Sequence, residues 1–222
     1  MKLLPMIAAL CLLASLPVEA SNQAYVVTNT IERAEQGDAI AQGKLGNMYS
    51  EGLGITENHA EAVKWYREAA KQGNADAQFN LGNMYEKGKG VPKNDSEAVK
   101  WYRKSAEQGD AIAQGKLGNK YKKGLGITKN HAEAVKWYRK AAKQGDAEAQ
   151  YNLGIMYAKG DGVPQNFAEA YVWESLAAEG SNKDAIANRD IYAKKLSPAA
   201  LNAAQARAAR LFEEIQQRKN KE

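Results

Sequence analysis

A unit of 36 residues occurs four times in this chain, and it limits the fold more than any other feature. Trp65, Trp101, Trp137 and Trp173 stand 36 apart, as do Gly46, Gly82, Gly118 and Gly154, and Tyr49, Tyr85, Tyr121 and Tyr157. The shared pattern is G-[DN]-A-x-A-Q-x-x-L-G-x-x-Y-x-x-G-x-G-[IV]-[TP]-x-N-x-x-E-A-x-x-W, starting at Gly37, Gly73, Gly109 and Gly145. A period of this length marks a supersecondary unit that covers its apolar faces by stacking on its neighbours.

Each unit reads as two helices. In helix A, Ala41, Leu45 and Tyr49 recur at i, i+4 and i+8 and form one apolar stripe. In helix B, Ala62, Trp65, Tyr66, Ala69 and Ala70 follow i, i+3, i+4, i+7 and i+8. Gly52 and Gly54 lie between the helices, where a left-handed turn suits glycine. Asn58 is expected to cap helix B with Glu61 in the third position; Asn94/Glu97, Asn130/Glu133 and Asn166/Glu169 repeat this pair. A glycine at 46 costs a helix ~1 kcal/mol relative to alanine, so it reads as space for close approach of helix B.

A second period lies within the first. Residues 37–72 and 109–144 agree at 31 of 36 positions, and all five differences place lysine in the later copy. The net charge of +5 is therefore unevenly spread: residues 109–144 sum to +7 and residues 145–180 to −5. Lys120, Lys122 and Lys123 are the candidate electrostatic patch, set against the alternative of ordinary solvated helix faces.

The L-G-x-x-Y, G-x-G-[IV] and A-x-x-W elements over residues 37–180 resemble the Sel-1-like repeat family, relatives of the tetratricopeptide repeats. The resemblance implies an all-α fold, a right-handed superhelical solenoid of antiparallel helix pairs, and a scaffold or adaptor role. It also implies that helix A lines the concave side, so that positions 40, 43, 47 and 50 face a groove. Where the family commonly has Asp, this chain has Asn58, Asn94, Asn130 and Asn166, which keeps the cap and loses a charge. The resulting division is residues 37–72, 73–108, 109–144 and 145–180 as repeats, with 21–36 and 181–222 as caps.

The ends read differently. Met1-Lys2, an apolar run through Leu16 and the Val18-Glu19-Ala20 site make residues 1–20 a signal peptide cleaved after Ala20. The run is too short to span a membrane. Cys11 follows Leu10, where a lipoprotein signal wants a small residue. Export to the periplasm is expected, with secretion as the alternative, and no transmembrane segment remains after cleavage. Cys11 is the sole cysteine, so the mature chain must hold its fold without disulfides. Residues 25–36 read as a lone helix B and residues 184–195 as a helix A with Arg189 and Asp190 in place of Leu-Gly. Ser197-Pro198 starts a last helix whose stripe is Leu201, Ala204, Ala208, Leu211 and Ile215, with fraying expected from Arg218 on.

Chemistry finds little to work with. His59 and His131 stand 72 residues apart and cannot share one metal in a linear array, so no metal site is expected and no cofactor is implied. The acids recur in register as caps and surface charges, and no Ser/His/Asp set stands out. The G-x-G pairs follow helices, not strands, and are turns rather than phosphate cradles. The tryptophans lie on an apolar stripe and read as core. Export argues against a nucleic-acid partner.

The expected function is an exported, non-enzymatic scaffold that binds a protein or peptide on its concave face. The alternative is a binder of an envelope polymer such as peptidoglycan or acidic polysaccharide. The candidate site residues are Asn47, Asn83 and Asn119, whose amides could pair with an extended backbone, and Phe79 and Tyr151, rings that alternate with Gly43 and Gly115. The competing reading is that the rings pack on neighbouring helices and the amides are ordinary surface residues.

Overall fold

The computed structural model describes residues 18–180 and 182–220. Most of the expected signal segment, Cys11 included, lies outside the described residues, as do 221 and 222. Among the described residues the regular elements are helices: α1 (Val18–Glu35), α2 (Ala39–Glu51), α3 (His59–Lys71), α4 (Ala75–Lys87), α5 (Asp95–Glu107), α6 (Ala111–Lys123), α7 (His131–Lys143), α8 (Ala147–Lys159), α9 (Phe167–Ala178), α10 (Lys183–Ala193) and α11 (Pro198–Lys219). Helices α2, α4, α6 and α8 are the A helices of the repeats; α3, α5, α7 and α9 are the B helices. They form two compact units, one through Asn94 and one from Asp95 on.

In the first unit α1 packs on α2, α2 pairs with α3, and α3 packs on α4. In the second, α5 packs on α6, α6 pairs with α7, α7 packs on α8, and α8 pairs with α9. Helix α9 then carries both α10 and α11.

Local chemistry sets these boundaries. Each A helix opens on a side-chain cap that the repeat pattern holds in its second position: Asp38 accepts from the N–H groups of Ile40 and Ala41, and Asn74, Asp110 and Asp146 act alike. Each closes on a left-handed glycine; Gly52, at φ 69°, returns its N–H to the Met48 carbonyl. The second glycine of each turn has a further use. A Cβ on Gly90 would run into the His59 carbonyl, and one on Gly126 or Gly162 into the backbone at Asp95 or His131. These glycines let the turn rest on the start of the preceding B helix.

The B helices are capped by Asn58, Asn130 and Asn166 through their side chains, as expected. The third-position glutamates do not complete the cap. The backbone N–H of each capping asparagine instead donates to a tyrosine carbonyl at the end of helix A: Asn58 to Tyr49 at 2.8 Å, and Asn94, Asn130 and Asn166 to Tyr85, Tyr121 and Tyr157 at 2.9 Å. Glu61 and Glu133 pair with Lys64 and Lys136.

The interior is built on Leu45, Leu81, Leu117 and Leu153, with Tyr66, Tyr102 and Tyr138 almost wholly enclosed. The tyrosine, not the neighbouring tryptophan, is the innermost ring: Trp101 and Trp137 sit at the core's edge under Lys104 and Lys140, and Trp65 is half-buried. A Cβ on Gly46 would lie 2.5 Å from the Tyr66 ring, and one on Gly118 2.7 Å from Tyr138. The mid-helix glycine is therefore the seat of that ring. Buried glutamines tie each A helix to the helix before it: Gln42 donates to the Ala34 carbonyl, Gln78 to Ala70, Gln114 to Ala106 and Gln150 to Ala142.

At the ends, α1 begins at Val18 and is longer than the residues 25–36 expected. Helix α10 buries only Ala185. Helix α11 opens on Ser197 with Pro198 in the first turn and buries Ala204, Ala208 and Ile215 of its predicted stripe. It runs through Lys219, and the Arg218 guanidinium donates to the Lys143 carbonyl at 3.2 Å.

Candidate partner-binding face

The candidate residues of the A helices are engaged within the protein. The Tyr66 hydroxyl donates to Asn47 Oδ1 at 2.7 Å, and Asn80 Nδ2 donates to the same oxygen at 3.1 Å. The Tyr138 hydroxyl donates to Asn119 Oδ1 at 2.6 Å, while Asn119 Nδ2 donates to Glu148 at 2.9 Å. These amides brace a buried phenol and the next A helix, so they are not a free ladder for a peptide backbone. The phenols are correspondingly hard to ionise: burial pushes Tyr66 up to about 12, and Tyr138 higher still. Asn83 and Phe79 are half-buried. Tyr151 is half-buried on α8 against Asn188 of α10, its hydroxyl raised first by burial and then by the charge of Asp184.

The lysine patch does not hold together as a surface. Lys120 is 3% exposed and pairs with Asp95 at 2.6 Å, tying α6 to the start of α5. Lys122 is half-buried and donates to Asn152 Oδ1 at 2.8 Å; its ammonium is lowered by burial and by the nearby Lys159 and Lys123. Only Lys123 is fully exposed. Lysine at 120 sits on the inward face of helix A, where the other repeats bury Met48, Met84 and Met156.

What the A-helix face does expose is isoleucine. Ile40 is 60% exposed and Ile112 55%. At the same position the other two repeats carry Asp76 and Glu148, both exposed. The signal was present in the sequence, since this series alternates with the 72-residue duplication. Beside Ile112 lies a niche of about 30 Å³ lined by Gly115, Asn119, Asp146 and Glu148. That volume holds one water and no ring. Asp146 lines it, its carboxyl raised by burial and held down in part by the Ala149 N–H. Gly115 therefore faces the cap of the next helix at ordinary contact distance and opens no pocket for a large side chain of a partner.

Among the described residues no three His, Cys, Asp or Glu side chains converge on a common point, and no helix is long and apolar enough to cross a membrane. The model of the Sel1 repeat matches residues 39–74, 75–110, 111–146 and 147–182. The chain belongs to the Sel1 repeat family. Its Sel1 units are framed two residues later than the sequence period was counted. The solved Sel1 repeat protein from Oxalobacter formigenes is 40% identical, with a TM-score of 0.67 over 82% of this chain and 74% of that one. A protective antigen of uropathogenic Escherichia coli, c5321, displaying the same repeat fold, is 34% identical, with a TM-score of 0.54 over 85% of this chain. The match spans 48% of that antigen. No curated protein matches the chain. Membership fixes the fold class as the helix-pair solenoid of the Sel1 family, whose members are generally non-enzymatic scaffolds that mediate protein interactions.

Proposed function

We propose that this Sel1 repeat chain is an exported scaffold that binds a protein or peptide partner on the exposed face of its A helices. The observation that carries the reading is the pair of solvent-exposed isoleucines, Ile40 and Ile112, on helices whose other apolar side chains are largely packed inside. Each is followed, one repeat on, by an acid: Asp76 after Ile40 and Glu148 after Ile112. An apolar contact edged by a carboxylate suits a partner segment in which an apolar residue neighbours a basic one. Within their own units Phe79 and Tyr151 are partly buried rings on the A helices that carry these acids, Phe79 with Asp76 on α4 and Tyr151 with Glu148 on α8.

Crosslinking mass spectrometry in an envelope extract tests the reading. Crosslinks to a discrete protein are expected at the A helices, and Ile40→Ala with Ile112→Ala should reduce them at least several-fold without lowering the melting temperature. Salt-sensitive sedimentation with peptidoglycan, and no protein crosslinks, would favour the polymer-binding alternative. Tyr151→Ala should both weaken binding and lower stability, because the ring also packs against α10. Export rests on the charged start, apolar run and Val-x-Ala site. Intact mass of the envelope-fraction protein checks it, and a mature species that retains Met1 overturns it.

A further inference from the structure

The fourth repeat breaks the pattern that braces the other three. The series Tyr66, Tyr102 and Tyr138 ends in Glu174, and the series Asn47, Asn83 and Asn119 ends in Ile155. Glu174 occupies the tyrosine's seat: a Cβ on Gly154 would lie 2.8 Å from Glu174 Cγ. It is 0% exposed. Its Oε1 accepts from Asn188 Nδ2 of α10 at 3.1 Å, and its Oε2 is buried with no hydrogen-bond partner among the described residues. A carboxylate in that position would be an anion with a single donor, well short of what charge burial requires.

We propose that Glu174 is a proton-dependent latch: as a neutral carboxyl it holds α10 against α9, and when its proton passes to solvent α10 is released. Among the described residues no cation acts on the Glu174 carboxyl; Arg189 of α10, which lines a cleft with Ser175 and Leu176, is paired with Asp190. From α8 comes the Tyr151 hydroxyl; from α10 come Asp184, Asn188 and Tyr192. From α11, Arg207 reaches α9 and is taken by Glu169, and Lys219 lies beyond it, near Glu179. Burial pushes the Glu174 carboxyl up to about 8, with the Asn188 hydrogen bond countering and the Asp184 charge adding. The opening is local to α10 because that helix buries so few of its own side chains. It buries Ala185 alone, leaves Ile186 and Ile191 exposed, and supplies the hydrogen bond that Glu174 accepts. Helix α9 buries seven side chains and stays in place.

Hydrogen exchange of the full chain across a pH series, corrected for intrinsic rates, tests the latch. The opening constant of the α10 amides should rise about tenfold per pH unit between the ordinary carboxyl range and about 8, then level off, and should exceed that of α8 and α9 throughout, because those helices open only when the unit unfolds. Glu174→Gln should abolish the rise. An opening constant that does not change with pH in the native chain, or an undiminished slope in Glu174→Gln, overturns the proposal. Should that variant not fold, carbon-detected titration of the Glu174 carboxyl in the native chain decides instead. Titration near neutral or above supports the latch, and titration in the ordinary carboxyl range overturns it.

Discussion

Lys120 and Asp95 occupy positions that carry methionine, and histidine or phenylalanine, in the other repeats. The pair is asymmetric: the Lys120 side chain is 4% exposed and that of Asp95 26%. Asp95→Ala removes a partner of a buried ammonium and should lower stability in urea unfolding by more than Lys120→Met does. Lys120→Met restores the residue of the other repeats and leaves an acid that water can reach, so it should be near neutral or stabilising. Equal costs for the two changes would show that the pair is solvated. The glycines sort in the same way. Gly118→Ala pushes a methyl into the Tyr138 ring and should cost roughly 1–3 kcal/mol despite the better helix former. Gly115→Ala meets nothing closer than Asp146 at 3.7 Å and should gain up to about 1 kcal/mol. Thermal melts of the two variants should therefore move in opposite directions. Sequence periodicity identified Gly46 as a point of close approach but not the Tyr66 ring as its occupant. The tyrosine and its asparagine lie 19 residues apart on different helices, and no helical spacing links them.

At the scale of elements, repeat patterning gave the helices and most of their ends, because Asn caps, left-handed glycines and Ser-Pro starts are local chemistry. The predicted stripe of α11 is buried in large part. What covers it was not legible, since a stripe tells which face is hidden but not by what. A further repeat would pair the last helix with α10; instead α11 lies on α9, with Ile215 over Gly145 and Arg207 bonded to Glu169. The reason sits in α10, where Arg189 and Asp190 pair with each other at 2.8 Å in place of Leu-Gly, leaving no apolar seat for a B helix. Ile215→Ala should therefore cost about 2–4 kcal/mol, as for a buried core residue. Deleting residues 197–222 should lower the melting temperature and promote association, as Leu176 and its neighbours on α9 meet water. A monomeric elution profile with an unchanged melt would count against this role.

For the whole molecule, net charge by segment proved a poor guide to surface. Of the +7 in residues 109–144, Lys120 is buried, Lys122 bonds Asn152, Lys136 bonds Glu133 and Lys140 lies over the Trp137 ring. Charge is counted along the chain, whereas exposure is decided by helix face. The buried acid matters more to the stability of the chain. The Glu174 carboxyl is raised from an ordinary 4.5 to about 8, so the folded chain holds a proton that the unfolded chain releases throughout that interval. Its contribution is fully present below the unfolded value and is lost as pH rises to the folded one, at up to about 1.4 kcal/mol per pH unit. Burial raises Asp146 too, which acts in the same direction. Asp38 opposes them only at lower pH: the Ala41 N–H, then Arg33, holds its carboxyl below the usual range, and its contribution is lost as pH falls through that lowered value. The native chain should therefore melt higher at pH 5 than at pH 8. Glu174→Gln removes most of the difference and should melt above the native chain at pH 8, since its amide needs no proton to remain buried. A native melt that does not vary over this range, or a glutamine variant less stable than the native chain at pH 8, would show that Glu174 is already ionised and solvated in the fold.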